Sequence, residues 1–426
     1  MDMQVENVII AYDFAHINGG QAKVAIDSAR LLAEHGINVV YFAACGPVDK
    51  ALHHPRIKTL CLEQHDILTD PNRVRAAIKG IWNSETARVL SELTEQFDPN
   101  NTVLHCHGFA KALSASIGPI LTHGRLPSIY TMHEYFLACP NGGFYDYKKN
   151  EICTRRALGL DCLSTNCDVR HAAHKAWRSI RQKVTKTFGR MPVSLKDIIY
   201  ISETQHRAVK SYLSKDTNLH YVPNPIPTSE RSEVIASDND IFLFIGRLNP
   251  EKGGVLFAKA AKKAGVKAVF VGDGADRSMI ENENPDALIT GWQTPEQVQQ
   301  WISKARCLVF SSLWYECMPL VPFEALSLGI PVIAGAWTAG SEPVRHQVNG
   351  LIFQDQTAQS LTSAIEELKD NNHPVFNNIR LMEKETPGSE QHLNRLLDVY
   401  AKLLTGRVSG SDCRPSQGRE VAEFNE

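Results

Sequence analysis

The sequence predicts an α/β protein of two doubly wound domains facing each other across a cleft. Three observations carry that expectation. A strand, a glycine pair, a helix and a second strand open the chain. A proline-rich stretch interrupts it near the middle, and a second alternation of strands and helices follows. A chain of 426 residues is also long for one hydrophobic core, which favours two domains.

Residues Asn7–Tyr12 (NVIIAY) form a short apolar run of strand type. Gly19-Gly20 follows, and then Val24, Ala25, Ala29, Leu32 and Ala33 recur at the spacing of an amphipathic helix. Gly36 ends that helix, and strand character resumes at Val39–Ala43. Such a βαβ unit implies a parallel sheet. Further strands are expected near Val103–Cys106, Ser128–Thr131 and Ile198–Ile201. Tyr221–Pro227 is proline-rich and Thr228–Asp240 is polar, so the domain boundary is placed there.

Beyond it the expected order is strand Ile241–Ile245, helix Gly254–Lys263, and strands Ala268–Val271 and Ala287–Thr290. Helix Glu296–Ala305, strand Cys307–Phe310, helix Leu320–Leu328 and strand Pro331–Ala334 complete the run. The expected organisation is therefore a first Rossmann-like domain over 1–225 and a second over 226–385. A final helix over 386–405 could return to the first domain, and a frayed tail would occupy 406–426. Ligands of such sheets bind at the carboxyl ends of the strands, which places the site in the cleft.

Composition narrows the function classes. Hydrophobic residues make up 43% and charged residues 22%, with a formal net charge of −2, so nothing pulls the whole chain toward nucleic acid. The acidic start lacks the features of a signal peptide, and no stretch of about 18 uncharged apolar residues occurs. A cytoplasmic protein with most of its ten cysteines as thiols is expected.

The chemistry concentrates in the second half. Gly246-Arg247-Leu248-Asn249-Pro250-Glu251-Lys252-Gly253 directly follows a strand. The glycine at the strand end permits close approach of backbone to ligand, and the two cations suit a diphosphate, Arg247 as a fork and Lys252 as a point charge. The bland alternative is a solvated loop. Glu316 lies in the loop after another strand and Glu324 on the helix that follows. Carboxylates accept from vicinal hydroxyls such as those of sugars and riboses, and a carboxylate amid Val321, Phe323, Ala325 and Leu326 needs a partner.

With these residues in place, the stretch resembles the second domain of the retaining glycosyltransferases of family 4, the GT-B type with two Rossmann-like domains. The resemblance rests on Glu316 and Glu324 with seven residues between them, then Ala325-Leu326 and Gly329–Ala334. Gly246-Arg247-Leu248 with Glu251-Lys252-Gly253, Gly272-Asp273-Gly274, Gly291, and Glu342 with Asn349-Gly350 extend it. It implies that Glu316 holds donor-sugar hydroxyls, Glu324 the ribose, and Arg247 and Lys252 the departing diphosphate. Gly246, Gly291, Cys317, Met318 and Leu320 complete the expected donor-binding set of the second domain. In the first domain, Gly19-Gly20 at a helix start is similar to the family's glycine loop, where amides and helix dipole meet phosphate. His133 matches the family's strand-end histidine facing the donor sugar, with His105 and His107 as nearby alternatives. Three departures stand out: Cys317 replaces a common glycine, Asn224-Pro225 replaces Asn-Gly, and Trp337-Thr338 is bulkier than usual.

The implied reaction moves a sugar from a UDP- or GDP-sugar to a hydroxyl of a glycan, polysaccharide or lipid-linked sugar, with retention and without a metal or other cofactor. Asp238-Asn239-Asp240 precedes a strand and is poorly placed for a metal-binding Asp-x-Asp. The rivals are a sugar-nucleotide epimerase of the same fold and a silent sugar-nucleotide binding protein. A nicotinamide oxidoreductase is disfavoured, because no G-x-G-x-x-G follows the first strand.

One insert, about 139–190, stands apart. Cys139, Cys153, Cys162 and Cys167 occur there without a paired CxxC spacing, which leaves thiols, a metal or disulfides open. Arg155, Arg156, Arg170, Lys175, Arg178, Arg181, Lys183, Lys186 and Arg190 make the region basic. It reads as a solvated helix face, or as a first-domain surface that meets anionic lipid or a lipid-diphosphate acceptor at the inner face of the membrane.

Overall fold

The computed structural model describes residues 5–226, 234–382 and 388–406. The first sheet contains strands β1 (Asn7–Phe14), β2 (Asn38–Cys45), β3 (Ile57–Cys61), β4 (Thr102–Cys106) and β5 (Ser128–Thr131). A small antiparallel hairpin, β6 (Tyr145–Asp146) and β7 (Glu151–Ile152), follows, before β8 (Asp197–Tyr200) and β9 (Asn218–Tyr221) return to the sheet. The second sheet contains β10 (Ile241–Ile245), β11 (Lys267–Val271), β12 (Leu288–Ile289), β13 (Ala305–Phe310), β14 (Val332–Gly335) and β15 (Gly350–Phe353).

The strand orders are β3-β2-β1-β4-β5-β8-β9 and β12-β11-β10-β13-β14-β15, and all pairings within the two sheets are parallel. This is the doubly wound α/β architecture in both halves. Its central strands are apolar runs because helices cover both faces: Val8, Ile9, Ile10 and Ala11 of β1 are fully buried. The winding reverses between β1 and β4 in one sheet and between β10 and β13 in the other. Those two switch points open crevices at the strand ends.

Helix Ser389–Thr405 follows the second domain in sequence but packs on the first, burying Leu396, Val399, Tyr400 and Leu404 in its core. His392 fixes the crossing: one ring nitrogen is 3.0 Å from Ser28 Oγ and the other 2.8 Å from the carbonyl of Pro223. Ile226, placed with the second domain on sequence, is buried in the first core, since the apolar side chain after the proline turn has that core beside it. The polar stretch after it lies partly, and the expected tail almost wholly, outside the described residues.

The basic insert is not one solvated face. Lys175 and Arg181 are buried, Arg178 pairs with Asp168 at 3.1 Å, and Arg155 with Asp146 at 2.9 Å. The helix Ala172–Thr187 turns Lys175, Arg178 and Arg181 inward, and Arg181 lies over Phe136 and Trp177 and donates to the carbonyl of Ala110. The four cysteines of the insert are free thiols, and Lys175 donates to Cys162 and Cys167. Among the described residues no set of three or more His, Cys, Asp or Glu stands at metal-binding spacing, and no helix is long and apolar enough to cross a membrane.

Candidate active site

The second-domain half of the site is built by one glycine. Gly253 adopts a left-handed backbone with φ of +71°, and a Cβ there would fall 1.9 Å from the carbonyl oxygen of Ser311. Only glycine lets the turn Pro250–Lys252 lie against the segment after β13. Ser311 Oγ and Ser312 Oγ donate to the carbonyls of Gly253 and Glu251, and the amide of Leu313 also donates to Glu251. Lys252 is thereby delivered to Glu316: Nζ stands 2.5 Å from Oε1, which also accepts from Ser312 Oγ at 3.0 Å. Glu316 is only 8% exposed, so the ion pair and the hydroxyl hold a carboxylate that burial alone would disfavour. Lys252 also lies over the Trp314 ring, and Trp337 donates its indole N–H to the carbonyl of Ser312.

Arg247 follows β10 and is exposed at the cleft-side end of the sheet. Gly246 and Gly291 follow β10 and β12 with φ of +152° and +73°. Met318 is buried and its sulfur accepts from the amide of Asn224 at 3.1 Å. Cys317, Met318 and Leu320 pack against the first-domain core. The substitution of cysteine for glycine here therefore places a side chain in the domain interface.

Glu324 lies on helix Leu320–Ser327, and its carboxyl has no hydrogen-bond or ion-pair partner among the described residues. Burial raises its pKa, opposed by the charge of Lys23. Lys23 belongs to helix Gly20–Glu34, whose N-cap is Gly19, and its ammonium pairs with Asp27 on the same helix. Open space surrounds both Gly19 and Gly20, which carries no side chain over that helix start.

His133 follows β5. Its Nε2 lies 3.0 Å from Nδ1 of His107, the second residue after β4's last position but one, and the two rings stack at 17°. Burial depresses the pKa of His133 to about 3, and His392 adds to the effect. His107 and His105 are held neutral by burial in the same way. The loop carrying His107 is fixed by buried Asp13, whose carboxylate accepts the amides of Lys111, Ala112 and Leu113. Glu134, next to His133, is pushed up to about 7 by burial.

Three groups were not singled out as donor-side partners on sequence. Ser312 acts through its contact with distant Glu251 as well as with Glu316, and Lys23 through its charge alone, neither of which a local pattern announces. Glu342 was visible as part of a motif, yet its carboxylate caps helix Glu203–Val209 of the other domain through the amides of Glu203 and Thr204. The insert also reaches this region: a Cβ on Gly143 would meet the Trp314 ring at 2.9 Å.

The chain matches two family models. "Glycosyltransferase Family 4" covers residues 18–230 and "Glycosyl transferases group 1" covers residues 225–382. An uncharacterized glycosyltransferase of Methanocaldococcus jannaschii is 23% identical over 278 residues, 62% of this chain and 65% of that protein. A GDP-mannose-dependent alpha-mannosyltransferase of Mycobacterium tuberculosis is 35% identical over 91 residues, 21% of this chain and 24% of that protein. This chain thus spans between 24% and 65% of the length of those relatives. The solved structure of Anabaena HepE in complex with UDP has a TM-score of 0.62 at 13% identity, covering 93% of this chain and 100% of that one. Sucrose-phosphate synthase from Thermosynechococcus elongatus gives 0.63 at 16% identity, covering 94% and 100%. With the fold shared across nearly the whole chain and half of the sequence matched by one family model, the protein belongs to the GT-B glycosyltransferases of the family 4 type.

Proposed function

We propose that the protein transfers a sugar from a UDP- or GDP-sugar to a hydroxyl of a glycan, polysaccharide or lipid-linked sugar, with retention of anomeric configuration. The observation that carries this reading is the pairing of Lys252 with buried Glu316 at a strand end. It sets a cation and an acceptor of hydroxyls side by side, as a sugar joined to a diphosphate requires. The UDP bound in the HepE structure and the GDP-mannose dependence of the mycobacterial relative support a nucleotide-sugar donor.

In this reading Glu316 holds donor-sugar hydroxyls and Glu324 the ribose. Arg247, Lys252 and the amides at the Gly19-Gly20 helix start carry the charge that grows on the β-phosphate as its bond to the anomeric carbon breaks. The acceptor oxygen bonds to that carbon from the same face, and its proton passes to the departing phosphate. His133, neutral at physiological pH, contributes a hydrogen bond beside the anomeric carbon. No metal or other cofactor is needed for this balance. A donor-hydrolysis screen over UDP-, GDP- and ADP-sugars, with Glu316→Ala as control, tests the reading. If none is turned over or bound, the proposal fails.

For the acceptor side, contact with an anionic membrane is favoured by one surface. Ile78 and Phe188 are 62% and 68% exposed, Trp82 packs edge-on against Phe188, and Lys183 and Arg190 are exposed nearby in sequence. Such a protein would work at the cytoplasmic face. Sedimentation with neutral and with anionic vesicles tests this contact, and equal recovery in both supernatants counts against it.

A further inference from the structure

His133 is not alone at its strand end. His107 presents Nδ1 to its Nε2 at 3.0 Å, with near-parallel rings. His105 lies on His107 with centroids 4.1 Å apart, and is itself anchored at both nitrogens, Nδ1 2.6 Å from Tyr400 Oη and Nε2 2.6 Å from Thr131 Oγ1. The backbone of His107 is tied down as well: its amide donates to the carbonyl of Ala11, and its carbonyl accepts from Gln21 Nε2 at 2.7 Å. His107 is 1% exposed and has no freedom to turn away.

Two neutral imidazoles that share one hydrogen bond hold a single proton between them. If His133 Nε2–H donates, the proton of His107 must sit on its own Nε2. That atom is buried without a partner. A buried N–H left unpaired is rarer in folded proteins than an unpaired acceptor, because it loses its hydration with nothing in return. If His107 Nδ1–H donates instead, only a lone pair is left unpaired at Nε2. His133 is then obliged to carry its own proton on Nδ1, which has no partner among the described residues, on a ring that is partly exposed.

We propose that His107 is a positioning residue that fixes the ring and the tautomer of His133, so that the Nδ1–H of His133 donates into the cleft. The histidine at the cleft is then a hydrogen-bond donor set in place before substrate arrives, and not a base. The consequence for transfer rests on the reading of the cleft as the sugar-nucleotide site; the tautomer itself does not.

The experiment has two arms. In the full-length protein labelled with 15N-histidine at pH 7.5, long-range 1H–15N spectra read the protonated nitrogen of His133, assigned by loss of its signals in His133→Gln. The expected result is a protonated Nδ1 and a bare Nε2, with the Nδ1–H fraction falling in His107→Leu and recovering in His107→Asn, whose amide keeps a donor near the former Nδ1. A protonated Nε2 in the wild-type protein, or an unchanged tautomer in His107→Leu, overturns the proposal whether or not any donor is turned over. In donor hydrolysis, His107→Leu is expected to lower kcat about tenfold with little change in KM, and His107→Asn to restore most of it. An equal loss in both variants would mark His107 as merely structural and also overturn the proposal.

Discussion

The carboxylate of Glu342, in the second domain, accepts from the backbone amide of Thr204 in the first at 2.7 Å, and from that of Glu203 at 3.2 Å. One side chain therefore caps a helix across the domain boundary. Ser202, the N-cap of the same helix, accepts from the amide of Gln205, so the two acceptor side chains divide the first free N–H groups of the helix between them. Removing Glu342 leaves the amides of Glu203 and Thr204 without their partner. Glu342→Ala is expected to destabilise the protein by about 1 kcal/mol. Hydrogen exchange should quicken at residues 203–205 while strands of either sheet keep their protection.

The Lys252–Glu316 pair predicts a non-additive pair of substitutions. Lys252→Ala leaves a buried carboxylate with only Ser312, and Glu316→Ala leaves a half-buried ammonium over Trp314. Breaking one side of such a pair costs about 3–5 kcal/mol, whereas removing both costs less than the sum. A double-mutant cycle by chemical denaturation measures this coupling. On donor turnover, Glu316→Ala is expected to lose about a hundredfold or more.

Glu134 predicts a pH dependence with a definite sign. Burial raises its folded pKa to about 7, above the usual carboxylate value. The group therefore adds stability that is fully present below about pH 4.3 and is lost as the pH rises through 7. Glu134→Gln keeps the shape and removes the titration. Its melting temperature should gain on that of the wild type by a few degrees between about pH 5 and pH 8. A constant difference across that range would show that Glu134 ionises normally.

Four histidines act in the opposite direction. His105, His107, His133 and His392 all have depressed pKa values, chiefly through burial. The stability they contribute is present above the unfolded value of about 6.5 and is lost as the pH falls toward their folded values. In His392→Gln, melting temperature should therefore fall less steeply between about pH 6.5 and pH 4 than in the wild type.

The C-terminal helix predicts that the last described segment is structural. Leu396 is 1% exposed within the first-domain core. Leu396→Ala should cost about 2–5 kcal/mol. Denaturation followed by fluorescence of a first-domain tryptophan, Trp82 or Trp177, checks it.

Much of this protein is legible in its sequence, and the reason is periodicity. The apolar runs Val8–Ala11 and Phe242–Phe244 mark central strands buried on both faces, and the helices between them show their own spacing. The glycine of the Glu251-Lys252-Gly253 turn signals a backbone that no other residue can follow. Three strands of the two parallel sheets were not legible, namely Ile57–Cys61, Asn218–Tyr221 and Gly350–Phe353, and each lies at the edge of its sheet. Two of them are only half-buried, so they lack the continuous apolar run of a central strand.

The sequence by itself determined the doubly wound alternation, Glu316 in its loop, Glu324 on the following helix and the two cations after β10, because these depend on residue type and local spacing. Only the tertiary structure decided their partners. Lys252 meets Glu316, Glu342 caps a helix of the other domain, and His107 meets His133. It also decided that half of the basic insert turns inward, since a charge in a sequence carries no sign of which way its side chain faces. Each of these contacts joins segments far apart in the chain, and such pairs leave no periodic trace that a local reading can follow.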